Sequence, residues 1–144
     1  MSKPATFGGD LLKLIFLGET IANIAINATV SPITEIYVSL HTADPGETPA
    51  SGQAQSETSY TGYSRLSTSR SGTDYSVTGD VLTLLNDLVF GKCTVGTPTI
   101  THVGFGTAST GNGKLLYSGA LPSSMAVTVG TRPIIEAGRT ITEG

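Results

Sequence analysis

The fold class turns on Ile36-Tyr-Val-Ser-Leu-His-Thr-Ala-Asp-Pro-Gly-Glu47. Ile36, Val38 and Leu40 alternate with Tyr37, Ser39 and His41, which is the period of a β-strand and predicts one from Glu35 to Thr42. The apolar set faces a core in this reading, and His41 points the other way. Asp44-Pro45-Gly46 ends the strand with turn chemistry, proline fixing φ and glycine admitting a positive φ. Beyond it, residues 47–59 carry no large apolar side chain. That segment is expected to add nothing to a core and to form a long polar loop, mobile or ordered by a partner.

The second half of the chain is a series of short extended runs separated by Gly, Asn, Asp and Pro. The runs are 63–67, 75–77, 81–85, 88–90, 99–105, 114–121 and 124–129, with a last one at 134–141 broken by Gly138. Strands this short with turns this frequent predict a mainly β fold, an antiparallel β-sandwich or jelly-roll-like barrel. The strand containing His102 pairs with the one containing Tyr117 through the Gly- and Asn-rich turn 107–113. Upstream, Asp10 reads as the N-cap of a short apolar helix over Leu11–Leu17, with Gly18 closing it in the left-handed conformation. A weaker helical turn is read at 21–30. The expected organisation is one domain, 1–144, with a flexible N-terminal arm over 1–9 and the polar loop at 47–59.

Composition narrows the function classes. A chain of 144 residues with a net charge of −3 and a pI near 5.2 has no basic surplus with which to displace counterions from a phosphate backbone. Nucleic acid is therefore not an expected partner. The apolar run beginning at Leu11 is interrupted by Lys13 and Glu19 and is too short to span a bilayer, so no membrane is expected either. Cys93 is the single cysteine, which rules out an internal disulfide and suits a small buried apolar residue.

The strand 36–47, the segment Tyr60-Thr-Gly-Tyr-Ser-Arg65 and the stretch Thr101-His-Val-Gly-Phe-Gly followed by a Gly-rich loop and Leu115-Leu-Tyr-Ser-Gly-Ala-Leu121 occur together in this order. In this the chain resembles a family of small tailed-bacteriophage virion proteins. Members are commonly labelled tail-fibre proteins, and similar small β-proteins serve as capsid cement. The resemblance implies a fold and a virion location; it carries no chemistry.

No motif points to catalysis. Gly106–Lys114 has the glycines of a phosphate loop but the wrong spacing to its lysine, and strands on both flanks. His41 and His102 lack further ligands at metal-site spacing, so they are read as surface or inter-subunit polar positions. No Gly-x-Ser-x-Gly elbow accompanies the abundant serines. The tyrosines are dispersed, which favours core or interface packing over a sugar-stacking platform. Catalytic, cofactor and metal sites are each expected to be absent. Partner contacts are assigned to Pro49 and Glu57 in the polar loop and to Tyr60, Tyr63 and Arg65 beside it. Arg65 is read as tying a strand end to backbone carbonyls or to a neighbour's carboxylate, or else as an exposed strand-end residue.

These readings converge on a non-enzymatic phage structural protein. The preferred expectation is a decorating and cementing role on the outer capsid surface, with the major capsid protein as partner, self-association on the virion, and assembly in the bacterial cytoplasm. A tail-fibre or baseplate component touching host glycans is the alternative.

Overall fold

The computed structural model describes residues 5–21, 32–46 and 52–144. The fold is mainly β, with antiparallel sheets, no closed barrel and a short N-terminal helix. The chain divides into two units: one built from residues 1–35, 69–87 and 135–144, the other from 36–68 and 88–134. Of the segments read as flexible, residues 5–9 begin a helix, and 52–59 belong to the second unit. Residues 1–4 and 47–51, and all but the first residue of the weak helical reading at 21–30, lie outside the described residues.

In the first unit, helix α1 (Ala5–Leu12) runs into a π-helical turn, Lys13–Leu17. Gly18 closes it at φ 70° and donates its N–H to Lys13 O, as the sequence predicts. The start differs: the helix begins at Ala5, and Asp10 lies inside it instead of capping it. Close packing overrides the poor helix propensity of the two glycines there. A Cβ on Gly9 would sit 1.9 Å from Gly79 O, and one on Gly8 would sit 2.7 Å from Glu143 O. Only hydrogen side chains let the helix approach that backbone. The unit's sheet has the order β3-β4-β9, from β3 (Tyr75–Thr78), β4 (Val81–Leu84) and β9 (Thr140–Thr142). Phe16 and Tyr75 meet edge to face, centroids 5.0 Å apart, and with Leu12, Leu82 and Leu84 make the core. Arg70 donates from its guanidinium to Leu14 O and Ile15 O, satisfying carbonyls that the end of a helix leaves without partners, and also to Ile33 O.

The second unit holds a four-stranded antiparallel sheet, β2-β1-β6-β7, from β1 (Glu35–His41), β2 (Leu66–Ser69), β6 (Thr99–Gly106) and β7 (Leu115–Ala126). β1 is therefore a central strand, between β2 and β6. Its register with β6 pairs Val38 with Phe105 and His41 with His102. The predicted hairpin is present, with Phe105 opposite Tyr117 and His102 opposite Ala120. The two runs at 114–121 and 124–129 prove to be one strand with a bulge: Thr101 alone stands against Leu121–Ser124. A short pair, β5 (Leu88–Val89) and β8 (Ile134–Ile135), completes the β structure. Ile36, Val38 and Leu40 are buried on the apolar face, as expected. Phe90, Ile100 and the thiol-bearing Cys93 are buried in the same unit.

Two sequence readings need correction here. Ser39 and His41, on the face read as outward, are both 0% exposed. The cover comes from the segment dismissed as unable to join a core, for Gln53 is also 0% exposed and Thr58 is buried. Polar side chains enter an interior when each finds a hydrogen-bond partner, and this segment supplies them.

Candidate functional site

The polar residues singled out by the sequence meet on that covered face of the second unit. β1 places Ser39 and His41 side by side at a spacing of two, and β2 occupies only the first part of its edge. Past that point Ser56–Thr58 takes over: Thr42 N donates to Ser56 O, Thr58 N to Leu40 O, and His41 bridges Glu57. Glu57 is thereby brought to Tyr63 and Arg65. Tyr63 Oη donates to Glu57 Oε1 (2.7 Å), Arg65 Nε to the same oxygen (2.8 Å) and Arg65 Nη2 to Glu57 Oε2 (2.6 Å). This forked geometry is the strongest form of a carboxylate–guanidinium pair. The Arg65 side chain is 3% exposed and that of Glu57 16%.

Arg65 does more than pair. Its Nη1 donates to Ala108 O (2.8 Å) and its Nη2 also donates to Gly111 O (2.6 Å), both in the turn between β6 and β7. Tyr63 Oη in turn accepts from Leu40 N at 3.1 Å. Burial, reinforced by the Glu57 hydrogen bond, pushes the Tyr63 phenol well above its ordinary range, so it remains a donor. The sequence read Arg65 as tying carbonyls or a neighbour's carboxylate; in the structure its carbonyls and its carboxylate all belong to its own chain.

Gln53 was not anticipated at all. Its Nε2 donates to Tyr37 O (3.1 Å), its Oε1 accepts from Ala108 N (2.9 Å) and its own N–H donates to Gly113 O (3.0 Å). The space it fills exists because Gly106 and Gly113 lack side chains: a Cβ there would lie 2.1 Å from Gln53 Cδ and 2.6 Å from Gln53 Oε1. The amide of Ala108, in the loop that imitates a phosphate cradle, is therefore occupied by a side chain of the protein.

His41 completes the arrangement. Its Nδ1 lies 2.8 Å from Gln55 O, and a carbonyl only accepts, so this nitrogen carries the proton. Nε2 then accepts from Ser39 Oγ at 2.9 Å. A serine beside a histidine oriented by a third group has the outline of a nucleophile and its base. Both are fully buried, however, so a substrate has no approach to Ser39 Oγ. An open groove of about 530 Å³ nearby is lined by Thr42, Glu57, Thr58 and Val95 among others, without Ser39, His41 or His102. Among the described residues no three His, Cys, Asp or Glu side chains converge on a metal position.

The remaining predicted contact residues are accounted for as follows. Tyr60 is 5% exposed and donates to Gly91 O, with Tyr63 tilted against it and stacked on Phe90. Pro49 lies outside the described residues. Glu57, Tyr63 and Arg65 are engaged with one another and with the hairpin turn, and what they hold in place is the exposed tip Ser109–Asn112.

Desolvation lowers the pKa of His41 below its ordinary 6.5, against the raising influence of the Gln55 carbonyl and Glu57; Arg65 and His102 act in the lowering direction. The unfolded chain therefore takes up this proton first as the pH falls. Stability is at its full value above the unfolded pKa and declines as the pH drops through about 6.5 toward the lower folded value. Thermal unfolding from pH 8 to pH 5 is expected to show this decline, and a His41→Asn variant to show a smaller one. An identical acid slope in the variant would assign the effect to other groups.

The sequence profile described as podophage GP4 fiber I protein gp80 matches residues 16–143, nearly the whole chain. The chain belongs to this family. It is a phage virion protein with a structural role, the coarse conclusion that the sequence resemblance implied. No curated protein matches it. The matched span includes the four-stranded sheet, Gln53 and the Glu57–Tyr63–Arg65 group, so the family signature runs through the elements that hold the hairpin tip.

Proposed function

We propose that this protein is a non-catalytic building block of a phage fibre, working through shape and non-covalent contact. The observation that carries the reading is the family match to a fibre protein over residues 16–143. The geometry supports it. Ser39 and His41 are buried, Glu57, Tyr63 and Arg65 are engaged with each other, and what they produce is a braced sheet presenting a neutral hairpin tip. Such a surface can contact a partner many times over without desolvating ions, and repeated weak contacts add when geometry lets them engage together. In this reading the protein needs no cofactor, nucleic acid or membrane. Cementing of the outer capsid surface against the major capsid protein is the second reading, and the same low charge favours it.

Imaging of intact particles carrying a tagged copy distinguishes the two. Label confined to fibres projecting from the particle is the expected result. Label spread over the whole shell would move the protein to the capsid surface, and label absent from purified particles would overturn both readings.

A further inference from the structure

The hairpin tip carries a reactive pair that its own packing imposes. Asn112 is exposed at the end of the turn, and of the four asparagines in the chain it alone is followed by glycine. Glycine is required at 113, because a Cβ there would lie 2.4 Å from Ala108 Cβ and 2.6 Å from Gln53 Oε1. With no side chain on residue 113, its peptide nitrogen is open to the side-chain amide of residue 112. Among the described residues no acceptor takes up the Gly113 N–H, whereas the Gly113 carbonyl accepts from Gln53 N. The Asn112 amide is itself held in place: it lies against Gly52, and its Oδ1 accepts from Ala54 N at 3.4 Å. Negative charge builds on that oxygen when a nucleophile adds to Cγ, and a fixed backbone N–H donating to it stabilises the charge. Asn86 is the opposite case. Its Nδ2, the group that would have to leave, donates to Thr73 O and Asp74 Oδ1.

We infer that Asn112 is a site of spontaneous deamidation, its side-chain amide being exchanged for a carboxylate through a cyclic imide with Gly113. Gly113 N bonds to Asn112 Cγ and gives up its proton to water. The bond from Cγ to Nδ2 breaks, and the amine takes a proton from water and leaves as ammonia. A water molecule then adds to one of the two imide carbonyls and breaks that carbon's bond to the Gly113 nitrogen. Opening at Cγ gives aspartate; opening at the main-chain carbonyl gives the isomer whose backbone runs through the side chain. One water is consumed, one ammonia is released and nothing is oxidised or reduced. Either product puts a carboxylate on a turn that has no Asp, Glu, Lys or Arg from Thr107 to Gly113. The isomer also lengthens the main chain by one carbon between Gly111 O, held by Arg65 Nη2, and Gly113 O, held by Gln53 N. The tip thus passes with age from neutral to acidic, whether the protein sits on a fibre or on the shell.

Peptide mass mapping of the full folded chain, kept in warm, mildly alkaline buffer beside the same chain in guanidinium, tests this. Asn112 is expected to lose its amide ahead of Asn86, to give aspartyl and isoaspartyl peptides together, and to do so in the folded chain at least as fast as in the unfolded one. Asn112→Gln, which would have to close a larger ring, is expected to keep its amide over the same period. An Asn112 that stays intact in the folded chain, reacts no faster than Asn86, or lags the unfolded chain would overturn the inference. So would aspartate as the sole product, or an equal rate in Asn112→Gln, since either means direct hydrolysis without the imide.

Discussion

Replacing Arg65 with methionine is expected to destabilise the second unit by about 3–5 kcal/mol, the usual cost of removing one partner from a buried ion pair. The size follows from what is stranded. Glu57 loses three-point engagement and keeps a single donor, Tyr63, while Ala108 O and Gly111 O lose the guanidinium that holds them. Lysine is not a conservative exchange, because one ammonium cannot reach a carboxylate and two separate carbonyls in the fixed directions of the guanidinium fork. Denaturant unfolding measures the loss. Retention of wild-type stability in Arg65→Met would mean that the pair is a solvent-screened surface contact.

The first unit has a different point of failure. Phe16 is 0% exposed, and Tyr75, at 1%, presents an edge to it. Phe16→Ala removes the ring and leaves a cavity that the helix cannot close, because Gly8 and Gly9 already bring it into backbone contact. A loss of about 3–5 kcal/mol is expected from transfer and cavity terms together. Loss of near-ultraviolet signal from Tyr75 at a lower temperature than in wild type is the readout. An unchanged transition would show that the helix is not packed as described.

What the sequence made readable was local. Alternation from Ile36 to Leu40, the Asp44-Pro45-Gly46 turn with Gly46 N donating to Asp44 Oδ1, the hairpin about residues 107–113 and the Gly18 helix end all depend on neighbours along the chain. The start of α1 was hidden because it is set by Gly79 O and Glu143 O, far off in sequence. Burial of Ser39 and His41 was hidden for the same reason: the cover comes from a polar segment whose side chains are useful only once Tyr37 O, Ala108 N and Gly113 O are in place. One signal was available. Gly104 and Gly106 lie two apart in a strand, on the face of Ser39 and His41, where glycine commonly marks the close approach of another part of the chain. Two glycines on one face imply an occupant, and Gln53 and His41 are those occupants. Glu57, Tyr63 and Arg65 were found, but as contacts for a partner; their spacing does not reveal that they satisfy one another.

The charged and hydroxyl groups around β1 serve to fix the hairpin tip of their own chain. A double-mutant cycle on Glu57→Gln and Arg65→Met, followed by denaturant unfolding, tests it most directly. Coupled losses are predicted, the double variant falling short of the sum of the singles by about 0.5–3 kcal/mol, as for residues in one network. Strictly additive small losses would contradict the claim and return both side chains to the role of contacts awaiting a partner.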